Sequence, residues 1–220
     1  KKLYKNGILL FEHVYDVSNV YTYSLPSGTL TAFVVETVNT QSSSPFLISY
    51  LIINDVVFEW GDTYLDPPFA PVLHKGELLW IRAVKNTHVQ VQNSDQDNIF
   101  TFATYFGTHL PVNRFRSWDD HWILEVGSFV IQDGEILNEK FGFEETFNWY
   151  LVNNKPLYFF RKGPRVGISF DGQFLPIHYD YVPHGFCCGL GLNNPFLWGN
   201  EIRFFGIRDG VWYHVIVEVE

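Results

Sequence analysis

Five tight-turn dipeptides are spread along this chain at nearly regular distances. Each is followed by a short β-branched or aromatic run, a second turn and a second such run. They are Ser27-Gly28, Lys75-Gly76, Asp119-Asp120, Asn153-Asn154 and Gly199-Asn200, at intervals of 48, 44, 34 and 46 residues. Passing off the C-terminus and re-entering at residue 1 gives a further interval of 48, so the series closes on itself. A repeat of about 40–45 residues holding about four short strands is the pattern of propeller blades. The expected fold class is therefore all-β, a five-bladed β-propeller. It forms a single domain over residues 1–220, with blades near 15–60, 61–103, 104–137, 138–178 and 179–220. A β-sandwich or jelly roll is the alternative, since it shares the strand density without the period.

The rest of the chain agrees with sheet. No window of 12 or more residues combines apolar positions at i, i+3, i+4 and i+7 with a cap, so helical signals are nearly absent. Turn pairs such as Asn6-Gly7, Asp133-Gly134, Gly163-Pro164, Asp171-Gly172 and Asp209-Gly210 punctuate the sequence instead. The fourth repeat is the clearest, with strands expected at 148–152, 157–161, 166–170 and 173–178. The fifth offers only three, at 187–192, 201–208 and 211–219. Gly7–Val14 is expected to supply the missing strand, setting Leu9 or Phe11 beside Val215 and closing the ring so that no sheet edge is left open.

Composition excludes some functions. A net charge of −9 disfavours phosphate-backbone binding, which needs clustered Lys and Arg, so no nucleic-acid partner is expected. No stretch approaches 18 uninterrupted apolar residues, so no transmembrane helix is expected. The 18% aromatic content suits pleated, half-buried surfaces. A chain that begins at Lys1 and contains no Met is read either as a trimmed segment or as a mature secreted protein without its leader. The only two cysteines, Cys187 and Cys188, are adjacent, which rules out a framework of long-range disulfides. They are read as two reduced, buried thiols or, alternatively, as a strained vicinal disulfide that would imply an oxidising compartment.

In a propeller, the segments joining one blade to the next gather at the mouth of the central channel, where binding residues usually sit. Here they carry Asp62, Tyr64, Asp66, His109, Arg114, Glu144, Glu145, His178, Asp180 and His184, with Trp118 in the nearby Trp118-Asp119-Asp120-His121-Trp122 cluster. Carboxylates mixed with aromatic rings suit a hydroxyl-rich ligand. His178-x-Asp180-x-x-x-His184 matches no strong metal pattern, and neither a metal nor a cofactor is expected. No Gly-x-Ser-x-Gly elbow and no phosphate loop occurs.

The leading expectation is a non-catalytic, extracellular module that binds a carbohydrate or another polar small molecule through these loops. One alternative is a glycoside hydrolase-like enzyme drawing paired carboxylates from Glu144, Glu145, Asp62 and Asp180. The other is a protein-interaction or assembly module, favoured if part of the aromatic content is exposed.

Overall fold

The computed structural model describes residues 2–5, 7–12, 17–24, 31–39, 46–53, 56–61, 71–84, 87–95, 97–104, 112–185 and 194–218. Those residues form antiparallel strands, with one short helix among them. The chain divides into two compact units, 1–111 and 112–220. No described helix is long and apolar enough to cross a membrane.

In the first unit, β1 (Lys2–Lys5) and β2 (Ile8–Glu12) form a two-stranded sheet with Leu3 opposite Phe11 and Tyr4 opposite Leu9. Gly7–Val14 is expected to complete the last sheet; within the first unit its described strand, β2, pairs with β1. Gly7, at φ +80°, permits a tight local connection, and closing a short hairpin costs less chain entropy than joining the two ends of a 220-residue chain. Strands β3 (Val17–Ser24), β4 (Thr31–Asn39), β5 (Phe46–Ile53) and β6 (Val56–Gly61) follow as a four-stranded meander. A second meander comprises β7 (Val72–His74), β8 (Glu77–Val84), β9 (His88–Gln92) and β10 (Asn98–Ala103). Leu78, Leu79, Trp80 and Ile81 are all buried, so β8 is covered on both faces.

The second unit repeats the pattern. Strands β11 (Val112–Trp118), β12 (His121–Val126), β13 (Phe129–Gln132) and β14 (Glu135–Ile136) form one meander. Another is built from β15 (Glu145–Val152), β16 (Lys155–Lys162), β17 (Arg165–Phe170) and β18 (Gln173–Tyr179). The last sheet has three strands, β19 (Phe196–Trp198), β20 (Glu201–Arg208) and β21 (Val211–Glu218). Its first described strand is thus Phe196–Trp198; the expected strand at 187–192, with Cys187 and Cys188, lies outside the described residues.

The recurring dipeptides have a common position. Lys75-Gly76, Asp119-Asp120, Asn153-Asn154 and Gly199-Asn200 each join the first strand of a sheet to its second. Asn153 and Asn154 both hold positive φ, +51° and +59°, as a primed hairpin turn requires.

Residues alternate sides along β16, and that alternation builds two cores. Tyr158 and Phe160 join Trp118, Ile123, Val130, Leu137, Phe143 and Trp149 on one face. Leu157 and Phe159 join Phe147, Ile168, Ile202 and Phe204 on the other. The β15–β18 sheet is therefore sandwiched between its two neighbours. No periodic signal announces α1 (Leu137–Phe141), which follows β14 and ends on Gly142 at φ +67°. Five residues are too few to show a helical period.

Candidate functional site

The first strands of the three sheets in the second unit, β11, β15 and β19, border a cleft of about 650 Å³. Two irregularities shape it. In β15, Phe147 pairs with Phe159 and Tyr150 with Leu157, so Asn148 and Trp149 together face a single residue of β16. This is a β-bulge, and Asn148 takes φ +50° within it, a conformation Asn tolerates better than most residues. The bulge points the amides of Asn148 and Trp149 at the Glu125 carboxylate of β12: Asn148 N–H donates to Oε1 at 2.9 Å and Trp149 N–H to Oε2 at 3.4 Å. A second register shift sits at Asn113 in β11, whose side-chain amide donates to the Gly127 carbonyl at 3.1 Å.

The lining is polar. Arg114 places its guanidinium 4.9 Å from the centre of the Tyr150 ring. Tyr150 donates its hydroxyl to the Pro195 carbonyl and accepts from Asn148 Nδ2 at 3.1 Å. Arg116 and Ser117 complete the β11 side. Glu125 is 1% exposed, and burial pushes its pKa above the usual carboxylate range, while Arg114 and the amides of Trp149 and Asn148 pull the other way. Burial likewise raises the Tyr150 phenol. The floor is thus a buried carboxyl held by two backbone amides, and the wall carries two arginines.

A second constellation lies at the start of β15. Arg161 bridges two carboxylates, with Nη1 2.9 Å from Glu144 and Nε 3.0 Å from Glu145. His184 stands 3.0 Å from the other oxygen of Glu145 through Nε2 and 2.7 Å from the Val182 carbonyl through Nδ1. Its ring stacks on Phe147 at 3.5 Å. Both ring nitrogens face acceptors, which suits the doubly protonated imidazolium. Burial alone would lower the His184 pKa, but Glu145 and the Val182 carbonyl outweigh it and the net shift is upward. Glu145 moves downward, first through its hydrogen bond to His184 and further through Arg161.

Of the residues nominated from sequence, Arg114 lines the cleft. Glu144, Glu145 and His184 are brought together, in the Arg161 network. Trp118 is buried in the core, 5.1 Å from Trp149. His178 and Asp180 are exposed, and they are not assembled with His184 into a group of metal-binding side chains among the described residues. Asp62, Tyr64, Asp66 and His109, like Cys187 and Cys188, lie outside the described residues. Glu125, Asn148 and Tyr150 were not singled out. Their signal was a polar side chain inside an otherwise apolar strand, as Glu125 is within Trp122-Ile123-Leu124-Glu125-Val126.

No protein-family model matches the chain, and no curated protein matches it in sequence. A solved structure reported under "Structural and Mechanistic Analysis of Two Prolyl Endopeptidases: Role of Inter-Domain Dynamics in Catalysis and Specificity" aligns with TM-score 0.36 and 10% identity, over 90% of this chain and 35% of that one. A likeness that weak carries no argument about fold or activity.

Proposed function

We propose that this protein is a non-catalytic binding module that takes a hydroxyl-rich small molecule, a carbohydrate, in the cleft between β11, β15 and β19. The observation that carries this reading is the cleft itself. Its 650 Å³ falls in the range of small-molecule sites, and its walls bring together side-chain amides (Asn113 and Asn148), a phenol (Tyr150) and guanidinium groups. Binding is favoured over glycoside hydrolysis because that chemistry uses two facing carboxyl groups. The described lining holds one, Glu125, and Glu144 and Glu145 are tied to Arg161 outside it.

The ring architecture belongs to the same proposal. After the two-stranded β1–β2 sheet, five sheets follow one another along the chain, four of them entering their second strand through a two-residue turn, and this supports reading them as blades of one propeller. A location outside the cell is likewise proposed.

A thermal-shift screen against neutral and acidic sugars tests the binding role. A rise in Tm with at least one sugar, reduced by Asn113→Ala, is the expected result. No response across a broad panel would remove the proposal.

A further inference from the structure

The cleft carries more positive charge than the protein around it. The chain has a net charge of −9, yet the described lining sets Arg114 and Arg116 against a single carboxyl, Glu125. The two arginines are not equivalent. Arg114 is committed within the fold: its guanidinium lies over the Tyr150 ring, and its charge acts on the buried Glu125. Arg116, two residues along β11, is exposed and forms no ion pair among the described residues. Arg161 and Arg203, by contrast, are each held by carboxylates, Arg161 by Glu144 and Glu145 and Arg203 by Glu201. Among the described residues the cleft therefore presents one guanidinium fork without a counter-charge, beside amides that suit hydroxyl groups.

We propose that the cleft selects a carboxylate-bearing sugar, whose carboxylate pairs with Arg116 while its hydroxyls meet Asn113 and Asn148. This rests on the carbohydrate reading above and adds the ligand's charge to it. One uncompensated positive charge matches a monoanion, and a planar guanidinium matches a carboxylate through two parallel hydrogen bonds. A neutral sugar offers that guanidinium hydroxyl acceptors but no counter-charge.

Calorimetric titration of the full chain with glucuronate, galacturonate, glucose, galactose and inorganic phosphate provides the test. The uronates should bind at least about tenfold more tightly than the neutral sugars, the size of effect expected for one charge-assisted pair. Arg116→Gln should abolish that difference, and it leaves the fold intact because Arg116 is exposed and unpaired among the described residues. Equal binding of uronates and neutral sugars would overturn the charge selectivity and leave the carbohydrate reading standing. Binding of none of the four sugars would overturn both. Phosphate binding as tight as the uronates, or selectivity that survives in Arg116→Gln, would also overturn the proposal.

Discussion

Glu125 and Asn148 meet across two sheets: the carboxylate of β12 accepts the backbone N–H of a bulged residue in β15 at 2.9 Å. The bulge frees that amide from the ladder, and the carboxylate gives it a partner in the interior. The contact fixes the orientation of the Asn148 and Tyr150 segment that borders the cleft.

Glu125→Ala should therefore destabilise the protein by about 1–3 kcal/mol, because two amides lose their acceptor in a buried place. Glu125→Gln removes the charge and keeps one of the two acceptors, so its pH dependence, rather than its absolute cost, reports on the charge. The Glu125 pKa in the folded protein lies above 4.5, so the carboxyl favours folding below that pH, and stability is lost as pH rises through the folded-state value. Urea unfolding at several pH values should show Glu125→Gln gaining on the wild type as pH rises above 4.5. A difference that stays flat across that range would contradict the assignment.

How far the sequence foretold this arrangement depends on the range of the interactions involved. Turn chemistry is local: Asn153-Asn154 and Asp171-Gly172 reach the positive φ that their hairpins need more readily than other residues, so the hairpins and most strands were legible. The pairing of β2 was not, because a strand pattern names no partner and the short hairpin to β1 competes with any distant edge. The cleft was legible only in Arg114. Glu125 reads from sequence as an odd carboxylate in an apolar strand, and its meaning comes from Asn148, 23 residues later, at a bulge that no short motif announces. The helix α1 lay below the length at which periodicity can be seen.

Gly167 tests the packing of the β15–β18 sheet. A Cβ there would clash with Cζ of Phe160, whose ring stacks on Phe143 at 4.1 Å between centroids. Gly167→Ala should lower stability by about 1–3 kcal/mol through overpacking. Adding Phe160→Leu should recover part of that loss, giving a non-additive double-mutant cycle. Additive losses would mean that the two residues do not press on each other.

Asn138 joins α1 to the neighbouring strands while 3% exposed. Its amide donates to the Ser128 carbonyl at 3.0 Å, and its carbonyl oxygen accepts from Val130 N–H at 3.3 Å and the Thr146 hydroxyl at 2.8 Å. Asn138→Ala should cost about 1–3 kcal/mol. It should also speed hydrogen exchange at Val130 more than at Thr146, whose N–H still has the Ser128 carbonyl at 2.8 Å. Unchanged exchange at Val130 would show that the Asn138 carbonyl does not hold it.

The His184–Glu145 pair predicts a bounded pH window. His184 titrates above 6.5 in the folded protein, so its contribution is complete below 6.5 and fades as pH rises through the elevated value. Glu145 titrates below 4.5, so its contribution is complete above 4.5 and fades as pH falls through the depressed value. The pair therefore stabilises most between 4.5 and 6.5. With both side chains less than a fifth exposed, the effect should reach about 1 kcal/mol, the upper range for partly screened pairs. The stability difference between wild type and His184→Gln, measured by urea unfolding, should peak inside that window and shrink on both sides. An NMR titration of the His184 ring should place its midpoint above 6.5. A midpoint at or below that value would mean that burial, rather than Glu145 and the Val182 carbonyl, governs the imidazole.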